Sequence, residues 1–259
     1  MEPSSVEVEQ SLFSLSVSNF IGAYLALARA VERSTVVEAH QCIIVRSPVP
    51  HALGNFAICS SLDRTSAFEV WRASQDASVF QVYVPAEHEC EQELLLQRGF
   101  EFQQSLELMV LREPITSPSV PLSILEIDSH GRHSAADFMT RIFFKHQNGA
   151  DRERTTKVIS MASMPMYCAW HPLDVKTYRT IVGAMSVNLQ DDSIGIYNLC
   201  VDGTQQRRGI GASMLAKFAQ CNFVNGRPIV LQCNPNLLPF YQRLGFDSVG
   251  RVVIFHKKV

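Results

Sequence analysis

The sequence lacks several features that would place it in a specialised class of proteins. Its 23 Lys and Arg residues nearly balance its 25 Asp and Glu residues, for a net charge of −2, so it has no overall basic footprint for nucleic acid. It has no uninterrupted run of about 18 apolar residues. Its first ten residues, MEPSSVEVEQ, are acidic and polar, unlike a signal peptide. We therefore expect no membrane span, no membrane or nucleic-acid partner, and a cytoplasmic location.

Metal-binding and disulfide patterns are also missing. None of the seven cysteines belongs to a Cys-x-x-Cys pair, their number is odd, and most of them lie in apolar segments. We expect reduced, buried thiols. His130 and His133 are three residues apart, but the sequence shows no third ligand to accompany them. No metal site is therefore expected.

Apolar residues make up 46% of the 259 residues, enough for a sizeable core in one large domain or two small ones. Apolar periodicity predicts an α/β (α+β) fold with a mixed central sheet flanked by helices. In the first half, we expect strands at 41–47, 56–60, 79–84 and 106–111, and helices at 11–33, 66–73 and 87–97. In the second half, we expect strands at 124–127, 166–171, 180–189, 194–201, 228–233 and 249–256, and helices at 133–145, 153–161, 209–219 and 236–244.

A change of composition separates the two halves. Residues 112–123, REPITSPSVPLS, hold three prolines and three serines, which is typical of a linker. We predict an N-terminal domain at 1–113, a linker at 114–122 and a second domain at 123–259.

Residues 194–219 read as a strand, a polar loop and a helix, and they organise the second half. The first N–H groups of a helix have no partner within the helix, and the helix dipole places positive charge there. Gly209 and Gly211 let a phosphate approach the backbone closely, and Arg207 and Arg208 add positive charge. The stretch therefore predicts a seat for a pyrophosphate.

Two motifs resemble a known family. The segment QRRGIG at 206–211 follows the strand NLCV and resembles the acyl-CoA motif Gln/Arg-x-x-Gly-x-Gly/Ala of the GNAT acetyltransferases. The segment NPNLLPFYQRLGF at 234–246 resembles their Asn, Tyr and Gly-Phe pattern, with Asn234, Tyr241 and Gly245 in the matching places. Pro235 suits the first turn of a helix capped by Asn234, with Leu237 and Leu244 facing the core. Pro239 departs from the pattern and implies that the helix starts late.

The resemblance covers about residues 121–259 and implies a fold, a co-substrate and residue roles. It implies a GNAT fold that uses acetyl-CoA as co-substrate. Leu199, Cys200 and Val201 would offer backbone groups to the pantetheine arm and the thioester carbonyl, and Asn234 would contact the arm. The pyrophosphate would be held by Gln206, Arg207, Arg208, Gly209, Ile210, Gly211 and Ala212. Tyr241 would donate a proton to the leaving thiolate; packing in the core is the alternative for this tyrosine.

The general base and the acceptor are not determined. Many GNAT enzymes place a Glu on the central strand, but residues 196–198 read Ile-Tyr-Asn. Tyr197, His171, Asp191 or a water chain are the candidates for the base. Trp170 and Tyr197 are candidates for the acceptor pocket, with a core Trp as the equal alternative. The acceptor is a small-molecule amine or a protein. The missing carboxylate also keeps open a CoA-binding regulatory or scaffolding protein without turnover.

The first half contains a trace of the same pattern. Residues 94–111, LLLQRGFEFQQSLELMVL, and residues 240–257, FYQRLGFDSVGRVVIFHK, both read as the end of a helix, Gly-Phe, an acidic residue and an apolar strand. Leu95 stands where Tyr241 stands, and the first half has no glycine-rich loop of this kind. We predict that residues 1–113 are a degenerate GNAT-like copy that does not bind acyl-CoA.

Overall fold

The computed structural model describes residues 5–86, 89–115, 120–172, 180–222 and 226–257. The helices in this part of the chain are α1 (Ser5–Arg29), α2 (Arg64–Ser74), α3 (Glu89–Leu96), α4 (Arg132–Phe143), α5 (Gly149–Met161), α6 (Ile210–Asn222) and α7 (Leu238–Gln242). The strands are β1 (Thr35–Ala39), β2 (Cys42–Arg46), β3 (Phe56–Cys59), β4 (Gln81–Pro85), β5 (Phe100–Leu111), β6 (Ser123–Glu126), β7 (Met166–Trp170), β8 (Gly183–Leu189), β9 (Ile194–Val201), β10 (Ile229–Cys233) and β11 (Asp247–Lys257).

All of these strands belong to one continuous mixed sheet. Their order is β1-β2-β3-β4-β11-β5-β10-β9-β8-β7-β6. The pairs β3–β4 and β9–β10 are parallel, and the other neighbours are antiparallel. Helices cover both faces, with α1, α4 and α5 on one face and α2 and α6 on the other. The predicted mixed sheet with flanking helices is confirmed.

The two halves of the sheet repeat the same arrangement. In the first half, β2 is antiparallel to β3, and α2 connects β3 to the parallel β4. In the second half, β8, β9, α6 and β10 have the same relations. The helix-strand units α3–β5 and α7–β11 then follow, and Gly99 and Gly245 end their helices with φ of 81° and 90°. This repeat confirms the internal similarity that the sequence predicted.

The two copies exchange their last strands. Strand β5, which belongs to residues 1–113, pairs with β10 of the second half. Strand β11, from residues 123–259, lies between β4 and β5. The boundary drawn at 114–122 therefore divides the sequence but does not divide the sheet, and the domain limits stay a prediction.

The described part of the linker is packed rather than free. Ile115 and Leu122 are buried in the same core cluster as α6. Lys217 Nζ donates a hydrogen bond to the Leu122 carbonyl, and Gln220 Nε2 donates to the Ile115 carbonyl at 3.3 Å. Both donors belong to α6. The linker therefore runs along this helix, although residues 116–119 lie outside the described part of the chain.

Helix α1 crosses the middle of the sheet and packs against strands of both halves. By length and composition, its residues Glu7–Arg29 could cross a membrane, although polar residues interrupt their apolar runs. Ala23, Ala28 and the polar Asn19 are fully buried against the protein. The contacts made by α1 are those of a core helix.

The edge of the first half differs from two expectations. Strand β1 was not predicted, because four of its five residues are exposed and it shows no buried face. Cys42 lies directly opposite Cys59 in the β2–β3 register, and the two form a disulfide. This corrects the expectation that all the cysteines are reduced. Cys168, Cys200 and Cys233 are free and buried, as expected.

Candidate functional site

Strands β9 and β10 separate at their carboxyl ends. They pair only from Ile194 to Ile196 on β9 and from Ile229 to Leu231 on β10. Strand β9 then continues to Val201 and β10 to Cys233 without mutual pairing in the described register. The carboxyl ends of parallel strands are the usual position for a ligand in an α/β sheet. We call this unpaired end of the two strands, which lies beside the predicted motif, the cleft.

Strand β9 carries a bulge at this cleft. Cys200 pairs with Ala184 and Tyr197 pairs with Ser186, so two residues, Asn198 and Leu199, stand opposite Met185 alone. Asn198 has a φ of 52°, in the left-handed region that Asn tolerates better than most residues. A bulge re-aims the groups beside it. It therefore turns the backbone of Asn198 and Leu199 out of the regular ladder. An Asn in the middle of an apolar strand was the signal for this bulge, which the sequence analysis did not use.

The amino end of α6 leaves its first backbone donors free. Gly209 precedes the helix with a φ of 79°, and the Ser213 N–H donates to the Gly209 carbonyl at 2.9 Å. Among the described residues, the N–H groups of Ile210, Gly211 and Ala212 have no acceptor. A Cβ on Gly211 would lie 3.6 Å from the Val201 side chain, in ordinary van der Waals contact, so this start of the helix lies beside the end of β9. These donors meet the requirement of a phosphate seat.

The loop before α6 is ordered by its own hydrogen bonds. Asp202 accepts from the N–H and the hydroxyl of Thr204, which lowers the pKa of its carboxyl group. Gln206 Nε2 donates to the Val201 carbonyl at 3.3 Å, and Arg208 donates to the Gln205 side chain at 3.2 Å. Arg207, with a φ of 63°, is exposed. Neither arginine forms an ion pair with a described residue, so both charges are available to an anion.

In the first half, a side chain caps the amino end of the corresponding helix, α2. Asp63 precedes α2 as Gly209 precedes α6, and Asp63 Oδ1 accepts from the Ser66 N–H at 2.7 Å. Hydrogen bonds from Ser66, first from its backbone N–H and second from its side chain, lower the pKa of the Asp63 carboxyl group. Strand β3 pairs with β2 in regular register without a bulge, and Leu95 occupies the place of Tyr241. The first half therefore lacks the bulge, the uncapped helix start and the tyrosine of the second half.

The second motif is placed as expected in most respects. Asn234 is exposed and accepts from the Asn236 N–H at 3.0 Å, capping a 3₁₀ turn at Pro235–Leu237. Helix α7 begins only at Leu238, with Pro239 in its first turn, so the predicted late start is confirmed. Leu244 is buried, but Leu237 is 48% exposed, which corrects its expected core position. The short 3₁₀ turn rotates Leu237 away from the core.

Tyr241 lies in the core beside the cleft. It is 7% exposed and packs edge to face on Phe246, at a centroid distance of 5.7 Å. Its hydroxyl makes no hydrogen bond to a described residue. Burial, with a smaller contribution from the nearby Cys233 thiol, raises the pKa of Tyr241 above its ordinary value. A phenol with an ordinary pKa is already protonated at neutral pH, and this shift leaves it so, as an acid must be.

Tyr197 and Trp170 belong to the core on the other face of the sheet. Tyr197 is 8% exposed, and its hydroxyl donates to Asn19 Oδ1 at 3.0 Å. Burial raises the pKa of Tyr197 strongly, which makes its phenolate too rare to act as a base. Trp170 is buried in the cluster that α4 and α5 cover. Their packing favours the structural alternative for both residues.

Two other candidates for the base lie at opposite ends of β9. Asp191 belongs to the turn before β9, and Val201 lies at the far end of this strand, which is about 23 Å long at 3.3 Å per residue. Asp191 is therefore too far from the cleft. His171 follows β7 by one residue. Ala169 pairs with Gly183, which pairs with Val201, so His171 lies at the same end of the sheet as the cleft. His171 remains the candidate among these side chains.

Strand exchange brings one carboxylate near the cleft that the sequence analysis missed. Glu107 of β5 lies opposite Cys233 at the end of β10. It accepts from Arg251 at 2.6 Å and from Ser248 at 3.0 Å. Burial and, second, the Glu107 charge raise the pKa of Cys233 to about 11. Glu107 is engaged by a cation, and nothing in the linear sequence indicated its position.

Known proteins resemble this chain in part of its sequence and in most of its fold. Residues 153–257, from α5 to β11, match the family described as the acetyltransferase (GNAT) domain. No curated protein sequence matches the chain. A functionally unknown conserved protein from Staphylococcus epidermidis ATCC 12228 is similar in structure, with a TM-score of 0.67, 17% identity, and coverage of 88% of this chain and 95% of that one.

Two structures described as GNAT proteins are also similar. A GCN5-related N-acetyltransferase from Kribbella flavida has a TM-score of 0.64 and 12% identity, and covers 92% of this chain and 96% of its own. A tandem GNAT protein from the clavulanic acid biosynthesis pathway has a TM-score of 0.57 and 13% identity, and covers 92% of this chain and 86% of its own. Likeness at these identities shows a shared fold. The expected GNAT fold in two copies is confirmed.

Proposed function

We propose that this chain, whose residues 153–257 carry a GNAT acetyltransferase domain, is an acetyl-CoA-dependent N-acetyltransferase that acts on an amine. The observation that carries the proposal is the set of free N–H donors at Ile210, Gly211 and Ala212, which open onto the cleft between β9 and β10. Residues 123–259 are the proposed transferase domain, joined by 114–122 to the degenerate copy at 1–113.

The residues at the cleft fit an acyl-CoA. The α6 donors would hold the pyrophosphate, and Arg207 and Arg208 would add charge beside it. The backbone of Leu199, Cys200 and Val201, which follows the bulge at Asn198, would present groups to the pantetheine arm and to the thioester carbonyl. The exposed Asn234 would contact the arm from the other wall of the cleft. When bound, acetyl-CoA supplies the acetyl group as a thioester.

The chemistry at the cleft needs an acid and a neutral amine. Tyr241 is protonated at neutral pH because the ordinary pKa of a phenol is near 10, and burial raises it further. Tyr241 is proposed to donate its hydroxyl proton to the departing sulfur. An amine with a pKa near 10 must lose a proton before it attacks. We assign that step to His171 or to water, because Tyr197 and Asp191 are unsuitably placed.

A CoA-binding protein without turnover is the second candidate. One observation favours it: β9 carries no carboxylate, and Glu107, the carboxylate opposite β10, is ion-paired with Arg251. Both candidates require coenzyme binding, and only the first requires release of a thiol.

Two measurements test these proposals in sequence. Isothermal titration with acetyl-CoA is expected to show one site per chain, since the helix of the first half is capped by Asp63. A free-thiol assay with acetyl-CoA and a panel of small amines and lysine peptides should then show amine-dependent release of CoA. Absence of binding would refute both candidates. Binding without thiol release across the panel would support the second.

A further inference from the structure

A buried polar cluster joins helix α1 to the strand that carries the bulge. Tyr197 immediately precedes the bulge residue Asn198, and the Tyr197 hydroxyl donates to Asn19 Oδ1 at 3.0 Å. Asn19 is fully buried, in the middle of α1. Through this hydrogen bond, the first half of the chain contacts the residue that directly precedes the proposed thioester site.

The Asn19 side chain is fixed from several directions. Its Nδ2 group donates to Ser193 Oγ at 2.9 Å and more weakly to the Asn188 carbonyl at 3.4 Å. Asn188 Nδ2 in turn donates to Asn19 Oδ1 at 3.2 Å and to the Asn19 carbonyl at 3.0 Å. These partners lie on β8 and in the turn before β9. The acceptor that meets Tyr197 is thus held in one orientation.

Gly195 permits this approach. A Cβ at position 195 would lie 1.9 Å from Asn19 Oδ1 and 2.5 Å from Cε2 of Tyr197. The Tyr197 ring therefore leans along β9 across Gly195 toward α1. A side chain at Gly195 would displace the Asn19 amide or the Tyr197 ring. The glycine therefore leaves the space in which the ring and the amide meet.

We propose that Asn19 is a positioning residue, which acts through Tyr197 to hold the β9 bulge in the geometry that the thioester carbonyl requires. The inference rests on the proposed transferase function. Tyr197 anchors one end of the bulge and the Cys200–Ala184 pair anchors the other. Two fixed ends leave the backbone of Asn198 and Leu199 little freedom. Helix α1 of the degenerate copy is thereby part of the active site.

The test compares two Tyr→Phe variants of the full chain. Tyr197→Phe removes the hydroxyl that binds Asn19. Tyr83→Phe, the matched control, removes a similarly buried hydroxyl from β4 in the other half, where it donates to Gln81 at 2.8 Å. Four readouts are taken: affinity for CoA by titration, thiol release from saturating acetyl-CoA, hydrogen exchange of residues 194–201, and melting temperature.

We expect Tyr197→Phe to slow thiol release by about tenfold or more, because small displacements of a preorganised donor are costly in rate. Affinity for CoA should stay within about twofold, since the phosphate seat lies on α6. Residues 194–201 should exchange faster. Tyr83→Phe should change neither the rate nor this exchange.

Asn19→Ala removes the acceptor, and the double variant Asn19→Ala/Tyr197→Phe completes a cycle. If the two residues act as one unit, the double variant should be no slower than the slower single variant. Equal rates and exchange in wild type and Tyr197→Phe would overturn the inference, as would equal losses in Tyr83→Phe. Failure of wild type to bind acetyl-CoA would instead refute the proposed function, and the inference with it.

Discussion

Asp63 and Gly209 occupy equivalent positions in the two copies, each directly before the helix that follows a central strand. Asp63 covers the amino end of α2 with its own carboxylate, which accepts from the Ser66 N–H at 2.7 Å. Gly209 has no side chain, and the first donors of α6 have no acceptor among the described residues. The first half thus places the Asp63 carboxylate at its helix start, whereas the second half leaves the same position open to the anion of a ligand.

A carboxylate at position 209 should greatly weaken coenzyme binding. Gly209→Asp adds a charge and a side chain at the seat, and its Cβ would also meet Val120 at 3.2 Å. We expect titration to show at least about a hundredfold weaker affinity for CoA, from repulsion of the pyrophosphate and loss of space. Gly203→Asp is the control, because it adds the same charge to the same loop where a Cβ meets nothing within 4 Å. Equal losses in the two variants would contradict a seat at α6.

Removal of the Tyr241 hydroxyl should affect turnover and leave binding intact. Tyr241→Phe is expected to lower amine-dependent thiol release by about a hundredfold, the usual scale for loss of a general acid. Affinity for acetyl-CoA should remain within about twofold, because the phosphate contacts lie elsewhere. Tyr167→Phe is a suitable control, since that hydroxyl donates to Glu126 on the neighbouring edge strand. Loss of affinity in Tyr241→Phe would assign the tyrosine to the core alone.

Acidification should weaken the contact between the two halves at His51. The Leu53 N–H donates to His51 Nδ1 at 3.1 Å, so Nε2 carries the proton and faces Thr155 of α5 at 2.8 Å. Burial and, more weakly, the Arg154 charge lower the pKa of His51, although Asp151 opposes them. Below about pH 6.5 the unfolded chain binds a proton that the folded protein does not, so stability falls as pH falls toward the folded pKa.

Denaturation at several pH values measures this effect. The free energy of unfolding should fall between pH 7.5 and 5.5 less steeply in His51→Gln than in wild type, by about 1.4 kcal/mol for each unit of pKa difference removed. His133→Gln, at an exposed position on α4, serves as the control and should keep the wild-type slope. An unchanged slope in His51→Gln would contradict a depressed pKa.

The free thiols should differ widely in reactivity. Burial raises the pKa of Cys168 to about 12, and it also raises the pKa of Cys200 and Cys233. Cys221 is exposed near the end of α6. With iodoacetamide at pH 8, we expect Cys221 to be alkylated at least about a hundredfold faster than the buried three, as read by peptide mass spectrometry. Fast modification of Cys200 in the folded protein would show that β9 opens.

Local patterns in the sequence were sufficient to predict most elements and the motif helix. Ile210, Met214, Leu215 and Phe218 share the spacing of one helix face, and all four are buried. Gly99 and Gly245 marked the two helix ends because a left-handed residue there favours glycine. Positions set by short-range rules of this kind can be read without a structure.

Features that depend on distant partners could not be predicted. Val36 and Val37 of β1 are exposed, so that strand has no alternating pattern, and only pairing with β2 defines it. The strands β5 and β11 have similar sequences. Their local sequence does not indicate that β11 pairs with β4 of the first half and β5 with β10 of the second. The positions of Asn19 and Glu107 follow from packing between the halves. The Asp63 cap could have been predicted from the sequence, but only by aligning the starts of α2 and α6.

The placement of β11 between β4 and β5 also bears on biosynthesis. Strand β11 emerges from the ribosome after every other strand described, so the first half must wait with unpaired edges on β4 and β5 until nearly all of the fold has been made. Unpaired edges invite pairing with other chains. A nascent chain halted before residue 247 would therefore present two open edges at the centre of the molecule and become a substrate for chaperones or for aggregation.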